Sequence, residues 1–207
     1  NGTNYNVSFT YDSLEPQVSQ VQINDGNAQR SNLEYMYIFF SDTVDMSQAI
    51  NNGLISEYVK LYNTDTGEQV DLDKSHFSWY GYYNRLTVDF TIDGISGSRI
   101  SSLDNGNYQI RLLASAFVDS AGNVMQDNDG TADGYITVSR TTGAVRDDFF
   151  ALLCDVNGDR KVDESDLAVW QSNFDPLGYY YHYVSHGDWN VDGRVDVLDL
   201  ALWQQNY

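Results

Sequence analysis

The chain has 207 residues, 42% of them apolar and 14% aromatic, which is enough to fill a core and excludes wholesale disorder. Its formal charge of −19 repels nucleic acid and anionic membrane surfaces, and its 11 lysines and arginines form no basic cluster. No apolar run reaches the length of a membrane-spanning helix, so membrane insertion is not expected.

The chain begins at Asn1 with neither an initiator methionine nor a signal-peptide pattern, which favours a processed protein or a fragment over an intact cytosolic product. Residues 1–11 alternate, with Tyr5, Val7, Phe9 and Tyr11 on one face and Asn4, Asn6, Ser8 and Thr10 on the other. That is the pattern of a half-buried strand, and residues 12–17, with Pro16, read as a turn or linker. A terminal strand on a linker either completes its own sheet or is donated to a neighbouring copy of the same chain. Asn1-Gly-Thr3 and Asn6-Val-Ser8 are N-glycosylation sequons, making Asn1 and Asn6 candidate glycan attachment sites.

Residues 18–146 read as short strands punctuated by turns. Strands are predicted at 18–24, 33–40, 57–63, 68–72, 76–80, 85–92, 107–113 and 135–141, with one short helix at 45–52. Thr64-Asp-Thr-Gly67 and Gly81-Tyr-Tyr-Asn84 each mark a hairpin, and strands at this spacing predict an antiparallel β-sandwich. The phrases Val21-Gln-Ile-Asn-Asp-Gly-Asn-Ala-Gln-Arg-Ser31, Phe40-Ser-Asp-Thr-Val44, Asp104-Asn-Gly-Asn-Tyr108 and Val118-Asp-Ser-Ala-Gly-Asn-Val124 resemble the bacterial Ig-like domains of surface and secreted proteins. That resemblance implies an Ig-like sandwich and an extracellular or cell-surface location. Residues 147–153 are expected to form a short docked helix or strand, and the second unit is placed at 147–207.

Within that unit a twelve-residue acidic pattern occurs twice, at a period of 33. The first copy carries Asp155, Asn157, Asp159, Asp163 and Asp166 at positions 1, 3, 5, 9 and 12; the second carries Asp188, Asn190, Asp192, Asp196 and Asp199. This is the ligand spacing of an EF-hand-type calcium loop, with the backbone carbonyls of Lys161 and Arg194 serving position 7. Turn and cap roles alone do not account for five registered oxygen-bearing positions repeated twice, so two calcium ions are expected. Asp163 and Asp196 are also placed to cap the helices that follow. On those helices Leu167, Trp170 and Phe174, like Leu200, Trp203 and Tyr207, fall at i, i+3 and i+7 and predict an apolar seam between them.

Aspartate at position 12 and one helix after each loop resemble a type I dockerin, which implies a small α-helical calcium module and a cohesin partner. Two departures qualify this. Positions 10 and 11 are Glu164-Ser165 in one copy and Val197-Leu198 in the other, and this mismatch argues against cohesin docking. Position 6 of the first loop is Arg160, where the second has Gly193. A non-glycine residue at positive φ costs on the order of 1 kcal/mol and its charge opposes a cation, so the first site is expected to be the weaker.

A further acidic stretch, with Asp119, Asp127, Asp129 and Asp133, is a candidate third calcium site that fits no known register. Cys154 is the single cysteine and excludes an internal disulfide; a packed, inert thiol is expected, with an intermolecular bridge as the alternative. His76, His182 and His186 fall in no metal-ligand motif, and the sequence holds no nucleophile elbow, Cys/His pair or phosphate loop. The reading is therefore a non-enzymatic, extracellular, calcium-stabilised structural protein that assembles with copies of itself into a filament or layer. The alternative is a docking or glycan-binding module at the end of a larger secreted enzyme.

Overall fold

The computed structural model describes residues 11–92, 103–127, 130–138 and 149–207. The predicted leading strand, Asn1, Asn6, Asp129 and the boundary at 146–147 lie outside these residues.

Alternation decides the strands. In β2 (Tyr35–Phe40) Met36, Ile38 and Phe40 point inward and are buried, while Tyr35, Tyr37 and Phe39 alternate onto the other face. In β7 (Gly106–Leu113) Tyr108, Ile110 and Leu112 do the same. With β1 (Val18–Ile23), β5 (Phe77–Tyr80) and β6 (Arg85–Asp89), β2 forms an antiparallel sheet in the order β1-β2-β6-β5. The second sheet runs β4-β3-β7-β8, with β3 at Val59–Asn63, β4 at Gln69–Val70 and β8 at Tyr135–Thr137. Both predicted hairpins form, since β3 pairs with β4 and β5 with β6.

The two inner faces share one core in which Phe40 stacks on Phe117 at 5.2 Å and Phe90 meets Phe149 at 5.9 Å. The fold is mainly β, and its two antiparallel sheets fit a β-sandwich. The predicted short helix is α1 (Ser47–Asn51), followed by a single turn, α2 (Ile55–Tyr58), where the sequence suggested that the next strand had begun. Buried Ile55 holds that turn against the core.

The docked helix or strand expected at 147–153 is a strand in its described part: Phe149–Ala151 forms β9, which pairs with the first half of β7 while β8 pairs with the second half. All three of its residues are buried, and the second unit follows it. That unit holds α3 (Glu164–Ser172) and α4 (Val197–Asn206), around a separate small core of Cys154, Val184, Trp189 and Trp203. No described helix is long and apolar enough to cross a membrane.

Candidate metal centre

The two acidic loops share most of their hydrogen bonds. At position 1, Asp155 accepts from the backbone N–H groups of Asp159 at 3.2 Å and Arg160 at 3.0 Å. Asp188 accepts from Asp192 at 3.1 Å and Gly193 at 2.9 Å. At position 3, Asn157 Oδ1 accepts from Asp159 N–H and Asn190 Oδ1 from Asp192 N–H. At position 5, Asp159 accepts from Lys161 N–H and Asp192 from Arg194 N–H.

Position 12 reaches back across each loop. Asp166 accepts from the N–H groups of Val156 (2.9 Å), Asn157 (3.4 Å) and Asp163 (3.0 Å). Asp199 accepts from Trp189 (2.8 Å), Asn190 (3.1 Å) and Asp196 (2.9 Å). Asp163 and Asp196 are the N-caps of α3 and α4, and each forms a capping box with the position-12 aspartate three residues on. Position 12 thus closes the loop and opens the helix at once.

The helices are joined reciprocally. Trp170 Nε1 donates to the carbonyl of Asp196 at 2.9 Å, and Trp203 Nε1 donates to the carbonyl of Asp163 at 3.2 Å. Each helix therefore bonds to the carbonyl that caps the other, so the position-9 residues sit where one loop meets the opposite helix. Beside the seam Trp170 packs on Phe174 at 5.1 Å and Trp203 on Tyr207 at 4.5 Å.

The electrostatics of this arrangement are one-sided. Asp155, Asp166, Asp188 and Asp199 are each at most 1% exposed, and among the described residues none forms an ion pair with a lysine or arginine. Burial pushes the Asp188 carboxyl up to about 6, against the pull of backbone donors, and the nearby Asp199 and Asp192 charges push the same way. Burial also raises Asp155, with Asp166 adding to it, and raises Asp199, with Asp192 adding to it. Buried carboxylates without a positive partner are costly, a cost that a bound cation would offset.

The donors available at positions 1, 3, 5, 9 and 12, with the position-7 carbonyls, are all oxygen, with no thiolate or imidazole among them. Such a hard set fits calcium and does not suit zinc or copper. Neither loop brings three of its carboxylates within 4.8 Å of one another; among the described residues that happens at Asp12, Asp42 and Asp119.

That grouping rearranges the expected third site. Asp119 is buried, and Asn123 donates to it at 2.8 Å from both its backbone and its side-chain nitrogen. Asp127 and Asp133 belong to a separate turn, where Asp127 N–H donates to the Thr131 carbonyl and Thr131 Oγ1 donates to Asp133. Asp12 and Asp42, the residues that join Asp119, are remote from it in sequence.

The expected weakness of the first loop rested on Arg160, and the structure alters both halves of that reasoning. Arg160 does adopt φ 71°, but Val191 at position 4 of the second loop adopts φ 57°. A β-branched residue in the left-handed region is at least as strained, so each loop holds one strained residue and one glycine, Gly158 or Gly193. The Arg160 guanidinium is also turned away from its loop: it donates to Asn107 Oδ1 at 2.5 Å and lies 4.1 Å over the Phe150 ring.

Cys154 is fully buried with its thiol pushed up to about 12 by burial, the reverse of a reactive cysteine. Its φ of 74° matches the left-handed Gly187 at the same place in the second repeat. Of the histidines, His76 Nδ1 lies 3.2 Å from Asp73, and His182 Nε2 lies 3.2 Å from Asp175. The Tyr80 and Tyr83 rings stack at 5.5 Å with Arg85 over Tyr80, which is turn and strand packing.

No protein-family model matches the chain, and no curated protein matches it. Among solved structures it is similar to the N-terminal part of the bacterial S-layer protein SbsC, at 17% identity and a TM-score of 0.36, over 60% of this chain and 23% of that one. It is also similar to native Escherichia coli alpha-2-macroglobulin spanning domains MG0-NIE-MG1, at 9% identity and a TM-score of 0.37, over 61% of this chain and 32% of that one. The chain spans less than a third of either. At TM-scores below 0.5 the likeness assigns this chain neither a fold family nor a function.

Proposed function

We propose that this is an extracellular, non-enzymatic structural protein: an Ig-like sandwich followed by a dockerin-like module that two calcium ions lock into shape. The observation that carries the reading is the set of four buried aspartates, Asp155, Asp166, Asp188 and Asp199, in two matching loops with no basic partner. Asp155, Asn157, Asp159, Asp163 and Asp166, with the Lys161 carbonyl, would hold one ion. Asp188, Asn190, Asp192, Asp196 and Asp199, with the Arg194 carbonyl, would hold the other. A bound ion supplies the charge that the buried carboxylates otherwise lack, so its binding free energy becomes folding free energy of the module.

The subunit assembles with copies of itself into a surface filament or layer, by donation of residues 5–11 to a neighbour's sheet. Two features support this step: the alternation of Tyr5, Val7, Phe9 and Tyr11, and the sheet order that leaves β1 and β5 as edge strands among the described residues. Deletion of residues 1–12 is expected to abolish polymers seen by electron microscopy while leaving a folded subunit. Unchanged polymers after the deletion would overturn the assembly reading.

A second reading, a docking module of a larger secreted protein, is favoured by the exposure of Val197 (63%) and Leu198 (58%) at positions 10 and 11 of the second loop. Capture of the chain by an immobilised cohesin, reversed by chelator, would favour that reading over assembly.

A further inference from the structure

The first loop does more than its twin. The carbonyl of Asp155, at position 1, accepts the Arg30 N–H at 2.9 Å, and the Arg30 carbonyl accepts the Leu152 N–H at 2.9 Å. At position 4, Gly158 lies so close to the sandwich that a Cβ there would stand 2.0 Å from the Ala28 carbonyl oxygen. At position 6, the Arg160 side chain reaches Asn107 of β7 and covers Phe150 of β9. Three positions of one calcium loop are thus attached to the sandwich.

The receiving surface is built for the purpose. Arg30 is 2% exposed, and its Nη1 lies 2.6–2.8 Å from the carbonyls of Asn27, Ala28 and Gln29, fixing the short segment on which Gly158 rests. Among the described residues the second loop has no such attachment. Its bonds run to its own backbone, to Trp170, to Asp175 and to Tyr183, and Gly193 meets nothing within 4 Å.

We propose that the first loop is a calcium-dependent joint, so that the ion held there fixes the sandwich against the helical module, while the ion in the second loop stabilises the helical module alone. This rests on the calcium reading above and gives its two sites different jobs. The coupling passes through Asp155, whose carboxylate holds the N–H groups of Gly158, Asp159 and Arg160 while its carbonyl holds Arg30. With the ion in place the ring stays closed, and Gly158 and Arg160 stay presented to Ala28 and Asn107. Without it, repulsion among the four carboxylates of the loop opens the ring and withdraws both. Arg160, the departure from the loop pattern, is then the residue that bolts the loop to β7 and β9.

The second loop supplies the control, because its residues at positions 4 and 6 are Val191 and Gly193. The double variant Gly158→Val with Arg160→Gly copies them into the first loop, keeping a calcium-competent sequence and removing the contacts to Ala28, Asn107 and Phe150. In saturating calcium this variant is expected to bind two ions by calorimetry, yet to give different alignment tensors for its two units in residual dipolar couplings. The wild type is expected to give one tensor. Asp159→Ala, which impairs only the first site, is expected to separate the units likewise, with the near-ultraviolet signal of Trp170 and Trp203 retained. If the double variant keeps a single tensor, Gly158 and Arg160 do not make the joint, and if Asp159→Ala keeps one, the joint does not depend on calcium; either result overturns the proposal with the calcium reading intact. A wild type that binds no calcium while keeping one tensor would remove both.

Discussion

Replacing Asp199 with alanine is expected to cost the helical unit about 3 kcal/mol or more and to abolish the second calcium site. The side chain is fully buried and accepts three backbone N–H groups, those of Trp189, Asn190 and Asp196. Each buried donor left without an acceptor costs about 1–3 kcal/mol. The same substitution removes half of the α4 capping box and the position-12 ligand. Asp199→Asn keeps an acceptor oxygen but not the charge, and is expected to fall between alanine and wild type. Val197→Ala, two residues away in the same turn and exposed, is expected within about 0.5 kcal/mol of wild type. Thermal unfolding in saturating calcium, followed by tryptophan fluorescence, ranks the three. Equal midpoints for Asp199→Ala and Val197→Ala would refute the role given to position 12.

Calcium is expected to invert the pH dependence of the helical unit's stability. Burial raises the folded-state Asp188 carboxyl to about 6 from 3.8, and raises Asp155 and Asp199 in the same direction. Without calcium the folded state therefore binds more protons than the unfolded state between about pH 4 and pH 6. Its stability must fall as pH rises through that window, by on the order of 2–3 kcal/mol for Asp188. With calcium the ligands must be deprotonated, so binding tightens over the same window and stability rises. Asp175 and Glu164 have lowered carboxyls, held down by the Tyr180 N–H and the Tyr207 hydroxyl respectively. Their contribution is lost only on acidification below the ordinary carboxylate range, so it does not mask the crossing. Melting curves from pH 4.5 to 7, in calcium and in chelator, are expected to run with opposite slopes. Parallel slopes would show that the buried aspartates do not exchange protons for the ion.

The parts of this molecule that could be read from its residues are those whose physics is local. The loop-and-helix repeat, the capping roles of Asp163 and Asp196, and the alternation in β2 and β7 are each fixed within a few residues, and the structure has the caps and strands where the pattern put them. What escaped depends on distant partners. Phe149–Ala151 pairs with Gly106–Tyr108, some forty residues away, so the docked segment expected there could not be assigned to the sandwich from its neighbours. Asp119 is joined by Asp12 and Asp42 from two other turns, and the acidic neighbours that suggested a site lie in a turn of their own. Arg160 reads as a defect of its loop until Asn107 and Phe150 are seen beneath it. The strain of Val191 was equally hidden, because position 4 has no glycine rule to break.

Two registered loops, each with a pair of buried aspartates, are proposed to hold calcium. Isothermal titration of calcium into chelator-stripped protein is expected to give two ions bound per chain, with a gain in helical structure and tryptophan ordering on binding. Absence of binding at millimolar calcium, with the helical unit already fully folded in chelator at neutral pH, would contradict it.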